Sequence, residues 1–128
     1  MESAVLGMTI KSKSLFQPVE DEDGIRILIT RFYPRGILKT HFDAWASALS
    51  PSPGLLFSYK EGKKSWDGFK RSFLAELKKN IDSLEAVQAL NELSQKRDVT
   101  VLCYERDGIP CHRHLVRDII ETPQLLIS

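Results

Sequence analysis

The sequence predicts an α/β fold: a small three-layer domain with a mostly parallel sheet of about three to four strands flanked by helices. Three observations predict it. Ile25-Arg26-Ile27-Leu28-Ile29-Thr30-Arg31 and Val99-Thr100-Val101-Leu102-Cys103-Tyr104 are nearly continuous apolar runs rich in β-branched residues, the pattern of strands buried on both faces. Apolar residues at helical spacing lie between them, most clearly Trp66, Phe69, Phe73, Leu74 and Leu77. Buried strands joined by helices pair in parallel, and 128 residues at 42% hydrophobic content can bury one core.

Taken in chain order, Met8 to Leu15 adds a strand, and Asp21-Glu22-Asp23-Gly24 is a turn leading into the Ile25 strand. His41 to Leu49 reads as a short helix with Phe42, Trp45, Ala46 and Leu49 on one face. The breaker Ser50-Pro51-Ser52-Pro53-Gly54 follows, and Leu55-Leu56-Phe57-Ser58-Tyr59 reads as a further strand. Ser65 caps the Trp66 helix, whose stripe is core rather than a platform for stacking bases. Asp82-Ser83-Leu84-Glu85 resembles a capping box ahead of Leu84, Val87, Leu90 and Leu93. A last helix starts near Pro110, carries Leu115, Val116, Ile119 and Ile120, and stops at Pro123. Nothing divides residues 1–128, so one domain is expected.

A formal charge of +1 removes the global argument for a nucleic-acid coat or a membrane-adhering surface. No apolar run approaches the roughly 18 residues of a membrane span. The first residues lack the basic region of a secretory signal, so a cytoplasmic protein is expected. Two cysteines are too few for a disulfide framework, and a reducing compartment keeps them as thiols. His112 and His114 stand two apart, and neither C-x2-C nor H-x3-H occurs, so no metal and no cofactor is expected.

In open parallel sheets, ligands gather beyond the carboxyl ends of the strands. The segments falling there carry Arg31 and Arg35, the lysines Lys60, Lys63 and Lys64, and then Glu105 to Arg113. Parallel packing would bring guanidinium groups, a thiol and an imidazole to one edge, beside the start of a helix. That set suits a phosphate, with Arg31, Arg35 and Arg113 as anion holders. Cys111 is the candidate nucleophile and His112 its proton carrier. The plainer reading makes Cys111 a small apolar residue, His112 a hydrogen-bonded structural histidine and the arginines solvated or capping groups. Cys103, inside an apolar strand, reads as structural, and the lysines as a wetted loop. Cys111 and Arg117 also match the C-x5-R pattern of cysteine-dependent phosphatases, without the glycines that pattern uses to cradle phosphate.

Two stretches resemble a known family. Asp23-Gly24-Ile25-Arg26-Ile27-Leu28-Ile29-Thr30-Arg31-Phe32-Tyr33-Pro34-Arg35-Gly36 resembles the DGxRxLVDRxWPRG signature of the domain-of-unknown-function 488 (YeaO-like) family. Trp45, Leu49-Ser50-Pro51-Ser52, Trp66 with Phe69, and Glu76-Leu77 continue the pattern. Cys103-Tyr104-Glu105 with Cys111-His112-Arg113 resembles the CxE…CHR ending of another branch. The likeness runs from about residue 23 to 117, with Thr30 in place of the signature's aspartate and Tyr33 in place of its tryptophan. It implies a small α/β fold and points to Arg31, Arg35, Cys111, His112 and Arg113, but supplies no activity.

The leading expectation is a protein that binds a phosphate-bearing small molecule or a nucleic-acid end at this edge, with thiol catalysis through Cys111. The alternative is a non-catalytic interaction module with inert cysteines. Whether nucleic acid is a partner, and the oligomeric state, are left open by the residues.

Overall fold

A computed structural model describes residues 10–33, 36, 41–103 and 112–127. Four strands, β1 (Ile10–Ser14), β2 (Ile25–Leu28), β3 (Ala44–Trp45) and β4 (Val99–Cys103), form one sheet in the order β1-β4-β2-β3. All three pairings are parallel, with Val99 level with Ile10 on one side and with Ile25 on the other. β4 is therefore central and every one of its residues is buried, as its unbroken apolar run requires.

The helices are α1 (Pro53–Lys60), α2 (Trp66–Lys79), α3 (Ile81–Ser94), α4 (His112–Glu121) and the short α5 (Gln124–Ile127). Their apolar sides share one core with alternate strand residues, among them Ile27, Val99, Val101, Phe73 and Ile120. On the other face Leu28 and Leu102 pack with Leu15 and Phe42. Among the described residues no α-helix covers this second face. The chain from Leu15 to Gly24, with its 3-10 turn at Asp21–Asp23, crosses there instead.

The α/β class and the parallel sheet are as expected, but two segments differ. Leu55 to Tyr59 is not a strand but most of α1. Ser52 is extended, its Oγ accepts from Leu55 N at 3.2 Å, and Pro53 occupies the first turn, where its missing N–H costs nothing. The proline cluster is a helix start rather than a break. His41 to Leu49 is not a helix but contains β3 and a 3-10 turn at Ser47–Leu49. Asp43 N and Ala46 N donate to Arg26 O and Leu28 O, so the open edge of β2 claims the backbone that a helix would have used internally.

Smaller shifts concern boundaries. The Ile25 strand leaves its ladder at Leu28, although Ile29 and Thr30 stay buried. α3 is capped by Asn80, whose Oδ1 accepts from Asp82 N at 2.9 Å, while Ser83 turns inward to donate to Ala48 O at 2.6 Å. The expected α2 stripe holds, with Ser65 as cap and Trp66 stacked on Phe69 at 5.2 Å between centroids. Of the strand expected from Met8 to Leu15, Ile10–Ser14 form β1, and Met8 lies outside the described residues. Pro110 lies outside the described residues.

The entry to β2 combines a close approach with buried charge. Gly24 has φ +65°, and a Cβ there would lie 2.1 Å from Asp98 O. Beside it the buried Asp23 carboxylate accepts from Arg26 and from Lys13 Nζ at 3.0 Å. Burial pushes the Asp23 carboxyl up, but the backbone N–H of Glu20 and the two cations outweigh it and hold the pKa below the ordinary 3.8. Burial likewise pulls Lys13 down, yet its hydrogen bonds to Glu20 and Asp23 leave it above the ordinary 10.5.

Two outcomes follow. Gly24→Ala must take up a left-handed backbone and move Asp98, so its urea midpoint should fall by the equivalent of about 2–4 kcal/mol. The second concerns pH. A carboxyl depressed in the fold contributes stability that is whole above its unfolded pKa near 3.8 and lost as pH falls through the lower folded value. The gap in unfolding free energy between wild type and Asp23→Asn should therefore narrow as pH drops from about 5 toward about 2. The raised Lys13 behaves in the opposite sense, contributing below 10.5 and losing its share as pH climbs through its folded value.

Candidate functional site

Parallel pairing sends the chain out of β2 and β4 at the same edge, and a cleft of about 290 Å³ opens there. Cys103, the last residue of β4, and His112, the first of α4, lie on one side of it. Thr30, Arg31 and Phe32, just beyond β2, form a second side. Helix α1 closes the third along its length with Pro53, Leu56, Phe57 and Lys60. Among the described residues the walls are largely apolar, and the polar side chains are two cations, a hydroxyl, a thiol and an imidazole.

His112 ties the edge together. It is 5% exposed, and its Nε2 lies 2.7 Å from Ile29 O. A carbonyl oxygen only accepts, so Nε2 carries a proton, and in the neutral ring Nδ1 is then the nitrogen with a lone pair. That lone pair faces Cys103 Sγ at 3.5 Å, which makes the thiol the donor. Phe73 meets the imidazole edge-on at 5.6 Å and limits its rotation. One side chain thus spans the ends of both strands.

Arg31 is half-buried and braces the opposite wall. Its Nε donates to Pro51 O at 3.1 Å and its Nη2 to Ser50 O at 3.0 Å. The same lead-in is held from below by Glu76, whose carboxylate accepts from Ser52 N at 2.9 Å and Ser52 Oγ at 2.5 Å. These bonds use two of the five guanidinium donors. Thr30 is buried, with Oγ1 donating to Phe32 O at 2.7 Å, while its carbonyl accepts from the Trp45 indole at 2.7 Å.

The structure therefore brings Arg31 and His112 to one cleft. Arg113 starts the same helix turn as His112 but is completely buried and does not line the cleft. Arg35 and Cys111 lie outside the described residues. Lys60 lines the cleft, and Lys63 sits over the Phe57 ring at 6.0 Å. His114 turns elsewhere, toward Ser12 Oγ at 3.1 Å. Residues 112–117 are helical, and Arg117 pairs with Asp118 at 3.2 Å, so they do not form the phosphate cradle that the C-x5-R spacing would need.

Cys103, which the sequence reads as structural, also lines the cleft. Its apolar neighbours in a buried strand argue for packing, whereas its place as the strand's last residue puts the sulfur where ligands gather. Among the described residues no three His, Cys, Asp or Glu side chains gather to hold a metal, and no helix is long and apolar enough to cross a membrane.

A family model described as "Active DUF488-N3 subclade" matches residues 10–124. The chain belongs to the DUF488 family. It is also 29% identical over 113 residues to "Uncharacterized protein YeaO" of Escherichia coli strain K12, covering 87% of this chain and 96% of that one. No solved structure matches.

In this DUF488 protein the signature residues separate into two groups. Asp23, Gly24 and Arg26 form the buried β2 entry, whereas Arg31 and His112 face the cleft. The imidazole's structural share can be measured. His112→Phe leaves Ile29 O without this donor and should cost about 1–3 kcal/mol in urea unfolding, whereas His112→Gln, which keeps an N–H, should cost less.

Proposed function

We propose that the cleft binds a phosphate-bearing small molecule, its anionic group held by Arg31 and Lys60 near the start of α4 and its body lying on the apolar wall. The observation that carries this reading is the meeting of Arg31 and His112 around one cleft at the carboxyl edge of the sheet. Guanidinium groups take phosphate oxygens in pairs, and a helix start adds partial positive charge. Phe57 and Leu56 offer an apolar surface next to the cations, which suits a ligand with a flat or hydrocarbon portion. The subclade's description as active accords with chemistry at the site. A reducing cytoplasmic setting would keep both cysteines available as thiols.

A second reading, a docking module, draws on the exposed aromatic rim. Phe32 is 64% exposed, and Tyr33 meets Trp45 edge-on at 5.7 Å beside the short edge strand β3.

Thermal denaturation and calorimetry with inorganic phosphate, sulfate and adenosine monophosphate test the leading reading, with chloride at equal ionic strength as control. A ligand present at about 100 times its Kd stabilises by about 2.7 kcal/mol. Arg31→Met should weaken phosphate binding by roughly tenfold or more, and the exposed Lys60→Ala by a smaller factor. Equal responses to phosphate and chloride, or binding indifferent to both substitutions, would leave the docking module standing instead.

A further inference from the structure

We infer that Cys103 is a nucleophilic thiol, that His112 accepts its proton, and that the pair acts on an anionic electrophile bound in the cleft. The choice of an anionic substrate rests on the reading given under Proposed function; the reactivity of the thiol does not.

Three features on different elements make the pair. The sulfur lies 3.5 Å from Nδ1, and Cys103 is among the residues lining the cleft while being only 1% exposed, side chain included. In the neutral imidazole Nδ1 is the nitrogen that can take a proton, because Ile29 O occupies Nε2–H. A nucleophile, a base and a group orienting that base are the three parts that thiol and hydroxyl nucleophiles need. The charged side chains lining the cleft among the described residues are Arg31 and Lys60, both cations. Cations and the positive start of the ten-residue helix α4 favour a thiolate.

The thiol proton passes from Sγ to Nδ1, giving an imidazolium whose Nε2–H still donates to Ile29 O. A sulfur electron pair forms a bond to the electrophilic carbon of the substrate. The bond from that carbon to its leaving group breaks, and the leaving group departs with the electron pair. Arg31 and Lys60 hold the anionic group, so the electrophilic carbon is presented to the sulfur rather than to bulk water.

Alkylation tests this directly, because iodoacetamide and iodoacetate perform the same substitution with iodide as leaving group. The chain has two cysteines, so Cys111→Ser leaves Cys103 as the sole thiol. In that folded protein, peptide mapping should find Cys103 alkylated, with the rate rising through a midpoint at least about one unit below the reference 8.5. His112→Gln keeps a donor for Ile29 O but no base, and should slow alkylation at neutral pH by roughly tenfold or more. Should His112→Gln not fold, the pH profile of Cys111→Ser decides alone. Failure of the folded protein to react at Cys103, reaction only near pH 8.5 or above, or a rate indifferent to His112→Gln overturns the inference. Relative to a small free thiol, Cys103 should also prefer iodoacetate over iodoacetamide, and Arg31→Met should remove the preference. Fast, His112-dependent alkylation with no such preference would overturn the anionic substrate and uphold the nucleophile. Phosphate binding with an inert Cys103 would do the reverse.

Discussion

The contact on which the site depends is the approach of Gly24 to the backbone of Asp98. With no side chain at residue 24, Ile25 N reaches Asp98 O at 2.9 Å, and β2 enters the sheet with Ile25 level with Val99. Register then carries up the strands to the far edge, where Ile29 N meets Leu102 O at 3.0 Å. Sheet side chains alternate between faces, so a slip of β2 by one residue would turn Ile27 out of the helix-side core and take Ile29 O from His112. The buried charges reinforce the same register. Asp23 meets two cations and Thr100 Oγ1 donates to Asp23 O at 2.8 Å, which a shifted β2 could not reproduce. Buried ion pairs add little net stability over apolar packing, so their use here is to exclude wrong alignments.

Much of the architecture was legible because it follows from burial. β4 and β2 announce themselves as unbroken apolar runs, and α2 as a stripe at helical spacing, since those patterns report which faces meet the core. The two misread segments are decided by single hydrogen-bonding events. Ser52 and Pro53 resemble a chain break until Ser52 is seen to cap α1, and the helical spacing at Phe42 and Trp45 yields to the open edge of β2. In both, a local backbone partner outweighs a short-range side-chain pattern.

The site was legible in part for the same reason. The rule that ligands gather beyond the carboxyl ends of parallel strands placed Arg31 and His112 together across most of the chain, and they do line one cleft. It could not tell the two environments of Cys103 apart, because a thiol inside an apolar run looks identical whether its sulfur meets hydrocarbon or an imidazole. Nor could it show that Arg31 has a second duty. By holding Ser50 and Pro51, that guanidinium also builds the wall of the cleft it faces, so its charge and its bracing act at one point.

The central position of β4 also bears on how the chain reaches this state. β1 and β2 do not pair with one another; each pairs with β4, which follows α1, α2 and α3 in sequence. Until that late strand emerges during synthesis, both earlier strands have unpaired edges, and the loop to be closed between Ile10 and Val99 spans most of the molecule. Such long-range parallel pairing is slow, and it leaves apolar strands open to neighbouring chains in the meantime. The segment that supplies the thiol is thus also the keystone of the sheet, so assembly of the β-sheet and completion of the cleft coincide in time.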